Sequence, residues 1–354
     1  MKKLSLVFLF ALLSLGLNAQ DNAQAEKINK WIGVFNSAIE AKDWNGMLSQ
    51  GGKCKAELPE WDLVYYYIGY ADVNAKNYDD AIMNLTIFID KNTTIADDKK
   101  DMVKSSYINR ANAFSEKKDV KNAIADYDKY LTFSPNDIPV MLNKANVYLN
   151  SNDYAGYIKE LTAVIALEPT NATYLENRAS AYAKSQAWTE AIGDYTKLIA
   201  LNPSNKDYYN NRAYANYSIK NLESFKLAVA DYNKVVELGA ATEQTYTALT
   251  VINSAIKDYK AEIAAYEKLL ELKGGKDIDI IYRRGAAKFN AQDYKGAIVD
   301  FDLVIAENPK HLNALKRRAT AKTKTGDAKG AQADGKLIRE LEGKPAPTAP
   351  APKK

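Results

Sequence analysis

Cysteine and histidine are almost missing from this 354-residue chain, with Cys54 and His311 the single example of each. One cysteine forms no intrachain disulfide and supplies no thiolate metal cluster. One histidine makes any Ser-His-Asp or Cys-His arrangement depend on His311, which follows Pro309-Lys310 where a solvated surface turn is expected. Glycine is sparse, and no GxxxxGK or GxGxxG stretch follows a strand pattern. Gly51-Gly52-Lys53 lacks the other parts of a phosphate loop, and the pairs Asp277/Asp279 and Asp300/Asp302 lack the ligand count of a calcium loop. No catalytic, cofactor or metal residue is assigned, and no enzyme is expected. Charge of one sign is also lacking. The formal net charge of +4 becomes +2 without Lys2 and Lys3, a balance that favours neither nucleic acid nor an anionic membrane as partner. With 17 Gly and 10 Pro, most of the chain is free to be helical.

Long apolar runs are absent beyond the first residues. There, Lys2 and Lys3 precede the apolar stretch Leu4 to Leu17, and Leu17-Asn18-Ala19 offers a small residue before Gln20. That layout is a secretory signal peptide over residues 1–19. The run falls short of the ~20 residues of a bilayer span, so no transmembrane segment is expected in the mature chain. The short Lys-Lys leader points to a bacterial envelope protein, exported to the periplasm or secreted. No cysteine near residue 19 offers a lipoprotein anchor. Four Asn-x-Ser/Thr sequons, at Asn84, Asn92, Asn171 and Asn216, are therefore expected to go unused.

What the chain does contain is a repeat. The stretches from Asn109 to Pro135, Asn177 to Pro203 and Arg283 to Pro309 share a small residue, an aromatic-rich stretch, an Ala-Ile pair, an aromatic and a closing Pro. Ala81, Ala123, Tyr157, Ala191, Ala228, Glu262, Ala297 and Ala331 occupy equivalent places, at spacings of 42, 34, 34, 37, 34, 35 and 34. This pattern resembles the tetratricopeptide family, whose unit is a pair of antiparallel helices. The resemblance implies an all-α fold, a right-handed α-solenoid of helix-turn-helix hairpins over residues 20–342. A degenerate hairpin is expected at 26–58, clear repeats from about 62 and a polar capping helix to 342. The remaining 343–354, rich in Pro, Ala and Lys, has no hydrophobic pattern and reads as a disordered tail.

The copies also covary. Arg110, Lys144, Arg178, Arg212, Arg284 and Arg318 precede the small place of helix A, the first of each pair. Asp126, Glu160, Asp194, Asp231, Asp300 and Asp334 precede the aromatic place of helix B in the same units. Two units lack both, having Ile68 with Asn84 and Leu249 with Ala265. Base and acid present or absent together predict an ion pair inside each hairpin. The unit at 242–275 departs furthest, with Glu262 in the Ala place and glycines rather than prolines at its edges. It reads as a drifted repeat or a flexible joint.

Family resemblance places partners on a concave face lined by the A helices. The inward positions are Tyr66, Tyr70, Asn112, Asn146, Asn210, Tyr214, Tyr217, Tyr282, Phe289 and Asn290, with Glu116, Glu176, Lys184, Asp207 and Asp279 as charged neighbours. Tyrosine offers flat apolar area with a hydroxyl, and asparagine both a donor and an acceptor. Such a lining suits a protein or peptide segment, with a glycan as the alternative, and the expected role is a binding scaffold. The lysines of the family's C-terminal carboxylate clamp are replaced by Ile108, Glu176, Thr173 and Gln244, so that ligand is not expected. Tyr214, Tyr217, Tyr282 and Phe289 are expected to stand exposed in one patch with Asn290.

Overall fold

The computed structural model describes residues 19–343. All but the last residue of the leader (residues 1–19) and all but the first residue of the Pro-rich tail lie outside the described residues. Among the described residues there are 18 α-helices, one short 3₁₀ turn and no strand. They divide into two compact units, one ending at Leu167 and the other beginning at Glu168. Each unit is a stack of antiparallel helical hairpins.

The N-terminal unit pairs α1 (Ala19–Ala41) with α2 (Trp44–Glu57), α3 (Leu63–Ala75) with α4 (Tyr78–Lys91), α5 (Lys100–Glu116) with α6 (Val120–Phe133), and α7 (Ile138–Asn150) with α8 (Tyr154–Leu167). The C-terminal unit pairs α9 (Ala172–Lys184) with α10 (Trp188–Leu201), α11 (Lys206–Ile219) with α12 (Leu222–Glu237), and α13 (Glu243–Ala255) with α14 (Tyr259–Leu272). It ends with α15 (Ile278–Asn290) and α16 (Tyr294–Glu307), then α17 (Leu312–Thr325) and α18 (Ala328–Leu341). The extra residues before the α5–α6 hairpin form the 3₁₀ turn Asp97–Lys99 and lengthen α5 to 17 residues. The Asp62 carboxylate pins this segment by accepting from Asn92 at 2.7 Å and Lys99 at 2.6 Å.

Each hairpin turns in the same way. One residue is left-handed, with φ between 53° and 86°, at Lys42, Lys76, Lys118, Asn152, Gln186, Lys220, Lys257, Gln292 and Gly326. In seven of these nine turns the side chain of the next residue caps helix B. Asp119, Asp258 and Asp293, for example, accept from the backbone N–H three residues on at 3.2, 3.1 and 2.9 Å. Such a carboxylate satisfies one of the amides the helix start leaves unpaired. Helix B then stops two residues before Pro135, Pro169, Pro203 or Pro309, because proline has no N–H to extend it.

The helices cross on small residues. Ala81, Ala123, Ala191, Ala228 and Ala297 are fully buried, and so are Ala111, Ala145, Ala179 and Ala213 on the A helices. A Cβ at Gly69 would lie 2.6 Å from Leu85 Cγ, and one at Gly285 would lie 2.9 Å from Asp300 Cβ. Tyr157, in the Ala place, is buried. A Cβ on Gly156 beside it would lie 2.2 Å from the Tyr148 ring, so only glycine leaves that ring its room.

All six predicted ion pairs form. Arg110, Arg178, Arg212, Arg284 and Arg318 each donate through Nε and one Nη to both oxygens of Asp126, Asp194, Asp231, Asp300 and Asp334, at 2.5–3.0 Å. Lys144 meets Glu160 at 2.8 Å. The cations also reach back to the preceding B helix. Arg110 donates to Thr86, Arg212 to Thr196 and Arg318 to Asp302, and Lys144 lies 2.7 Å from Asp128. Each of these acceptors follows the preceding hairpin's acid place by two residues. One side chain thus closes its own hairpin and ties it to the one before.

Where the pair is missing, two substitutes appear. In the α3–α4 hairpin, Asn84 Nδ2 donates to Asp72 at 3.0 Å and Asn84 Oδ1 accepts from Lys55 at 3.1 Å. In the α13–α14 hairpin, Glu262 and Asn253 are 5% and 2% exposed, and Glu262 Oε2 and Asn253 Oδ1 have no protein partner. Burial raises the Glu262 pKa above the ordinary glutamate value, and a hydrogen bond with Ser254 only partly offsets it.

Two expected outcomes follow for stability. The α9–α10 turn has Ala187 where six other turns have Asp and two have Asn, at φ −80° and ψ 67°, close to −82° and 77° at Asp119. Ala187→Asp should stabilise the chain by about 1 kcal/mol, read as a higher urea midpoint with unchanged helicity. For Glu262, the folded state holds its proton to higher pH than the unfolded state does. Its contribution is therefore full below the unfolded pKa and is lost as pH rises through the folded pKa. Glu262→Gln should flatten this decline and gain about 1 kcal/mol or more at neutral pH. Urea midpoints on both sides of the glutamate range check it; an unchanged pH slope in the variant would refute it.

Candidate interaction groove

In the C-terminal unit, the parallel faces of α9 and α11 enclose an open groove of about 690 Å³. Glu176, Ser180 and Lys184 recur every four residues along α9, and Asp207, Asn211 and Tyr214 share one face of α11 at spacings of four and three. Asn177 and Asn211 occupy the same repeat place 34 residues apart. Asn205 caps α11 by accepting from the Asp207 N–H at 3.0 Å. The buried Tyr208 hydroxyl donates to Glu176 Oε1, and this bond, with burial, raises the Tyr208 pKa and keeps the phenol a donor. Trp188, the first residue of α10, stands edge-on to Tyr214, with ring centroids 5.8 Å apart and planes at 80°. Tyr214 remains 54% exposed.

Two stretches match family models for the tetratricopeptide repeat, residues 105–137 and residues 142–206. Over those residues the chain is similar to tetratricopeptide repeats. Such repeats generally mediate protein–protein interactions. Among solved structures, the C-terminal part of a tetratricopeptide protein from Cytophaga hutchinsonii is 16% identical; the match covers 80% of this chain and 97% of that one, with a TM-score of 0.44. A tetratricopeptide protein from Parabacteroides merdae is 18% identical over 67% of this chain and 93% of that one, with a TM-score of 0.38. YrrB, described as having an unusual peptide-binding site, is 17% identical over 52% of this chain and 92% of its own, with a TM-score of 0.40. No curated protein matched the sequence.

Of the ten positions inferred from tetratricopeptide resemblance, only Tyr214 lines this groove. Asn210, Asn146 and Asn290 are exposed elsewhere on their helices. Tyr66 is buried against Tyr67, Tyr70 and Phe88, and Tyr70 stands edge-on to Trp44. Asn112 is half-buried and accepts from the Tyr127 hydroxyl at 2.5 Å. Tyr217 stacks on Phe225, a ring brought by the extra residues at the start of α12. Tyr282 packs on Phe301 and His311, and Phe289 on Tyr294, with Arg317 over its ring. The expectation of four exposed rings in one patch is thus corrected. Tyr217 belongs to one apolar cluster and Tyr282 and Phe289 to another, because closing those hairpins uses the same rings.

The sequence pattern did not point to Ser180, Tyr208, Asn205 or Trp188 as part of a binding surface. A usable signal existed. Trp44–Tyr70 and Trp188–Tyr214 are both edge-on pairs 26 residues apart, joining the start of a B helix to the next A helix. His311 is not a solvated turn residue. Its Nδ1 accepts from the Ala314 N–H at 3.1 Å, so it caps α17. Asn84, Asn92 and Asn216 are buried with their amides donating to protein acceptors, a poor position for a glycan.

These placements separate groove rings from packing rings. Tyr282→Ala should cost roughly 2–4 kcal/mol through lost packing, whereas Tyr214→Ala should change stability by less than about 0.5 kcal/mol. Urea unfolding of both variants measures this, and equal losses would put Tyr214 among the packing rings.

Proposed function

We propose that this chain is an exported, non-enzymatic scaffold that binds a protein or peptide segment in the α9–α11 groove. The observation that carries the reading is Tyr214, a large ring left 54% exposed in a groove whose other lining is mostly polar, with amides, two carboxylates, hydroxyls and one lysine beside Trp188. Exposed aromatic area ringed by polar groups is what a binding anchor requires. The generally interaction-mediating role of tetratricopeptide repeats supports it. Export rests on the leader sequence, with the mature chain starting at Gln20 in a periplasmic or secreted location. The glycan alternative is weakened, since Tyr66, Tyr217 and Tyr282 are engaged in packing and offer no ladder of stacking platforms.

A photo-crosslinking residue at position 214, compared with one at the exposed Leu303 on α16, tests the binding reading in the native host. The expected result is discrete protein adducts from position 214 and none from 303. Adducts of equal pattern from both, or none from 214, would refute it. Sequencing the N-terminus of the fractionated mature protein tests export, with Gln20 as the expected first residue.

A further inference from the structure

The groove has an electrical direction. Its two carboxylates lie at one end: Glu176 in the first half of α9, and Asp207 in the first turn of α11. Lys184, the one cation among its lining residues, lies eight residues further along α9, about 12 Å at 1.5 Å per residue. Tyr208 fixes the acidic end by donating to Glu176 Oε1, which leaves Oε2 for an incoming donor. The aromatic end is offset in the same sense, with Tyr214 seven residues beyond Asp207 on α11, about 10 Å. At roughly 3.3 Å per residue, an extended chain crosses that distance in about three residues. Between the two ends, Ser180 and Ala183 keep the α9 wall low, and the Asn177 and Asn211 amides offer a donor and an acceptor each.

We infer that the partner segment is basic. A lysine or arginine side chain enters between Glu176 and Asp207, and an apolar side chain about three residues away along an extended peptide lies on the exposed face of Tyr214. This rests on the peptide-binding reading above and specifies its ligand. The carboxylates supply the charge complement and Tyr214 the apolar contact. An acidic segment would meet Glu176 and Asp207 with like charge, which costs affinity and slows association.

Selection of short random peptides on the mature chain, counter-selected on a Glu176→Gln/Asp207→Asn variant, tests the inference. The expected enrichment is Lys or Arg about three positions from an apolar residue. An enriched peptide should lose roughly tenfold or more in affinity when its basic residue becomes Gln. It should also bind more weakly as salt is raised. Because Asp207 sits in a helix's first turn, Glu176→Gln alone provides a second variant, checked for unchanged helicity. A further Glu176→Lys/Asp207→Lys variant should shift selection to Glu and Asp. Enriched peptides without charge preference, or with acidic residues on the unaltered chain, overturn the basic ligand and leave the peptide-binding reading standing. Unchanged affinity in Glu176→Gln/Asp207→Asn also overturns it. If no peptide is enriched while a glycan array shows binding, both readings fall.

Discussion

Each regular hairpin is clamped by a cation on helix A and a carboxylate on helix B that meet in the crowded space beside the helix crossing. In the α9–α10 hairpin, Arg178 and Asp194 bond through two parallel contacts, and Asp194 raises the arginine's pKa further. Replacing one such partner strands a buried charge at a cost of about 3–5 kcal/mol, although an apolar pair in its place can be equally stable. The pair's value lies in registry. The fork accepts one rotation of helix A against helix B, and the reach of Arg110 to Thr86, Arg212 to Thr196 and Arg318 to Asp302 sets those three hairpins against their predecessors. The outward faces of α9 and α11 face each other across a groove because this register holds them so.

Two of the hairpins without the clamp show what it excludes. Between α3 and α4, Asn84 bridges Asp72 and Lys55, so the buried acceptors have partners. Between α13 and α14, Glu262 and Asn253 each keep a buried oxygen without a protein partner. A carboxylate in such a place favours its neutral form. This irregular hairpin is also bounded by Gly239, Gly274 and Gly275 at positive φ, a conformation glycine adopts without steric cost. The drift seen in its sequence therefore has a physical counterpart in unpaired polar burial and glycine-closed ends.

The groove uses places the repeat leaves unemployed. Hairpin closure needs small residues at the crossing, aromatics beside it and the ion pair, and these fill the inner faces of both helices. Glu176, Asn177, Asp207 and Asn211 stand exposed on the face of helix A that hairpin closure does not use. Tyr214 belongs to that face. Its neighbour Trp188 meets it edge-on and leaves its surface to solvent, whereas Phe225 covers Tyr217.

The sequence by itself determined the hairpins, their boundaries and their clamps. Internal copies act as an alignment: a place that must be Ala, or a base that appears only with its acid, repeats every 34 residues or so because the packing demand repeats. Only the tertiary structure decided which rings are available. Tyr66, Tyr214, Tyr217 and Tyr282 look alike in a repeat register, yet each one's exposure depends on whether a residue distant in the chain covers it. Phe225 covers Tyr217 through an insertion, and Phe301 and His311 cover Tyr282 from neighbouring helices. The same holds for His311, whose role as a cap depends on backbone angles at one turn. Local pattern records what every hairpin needs, but solvent access at a side chain is set by its neighbours in space.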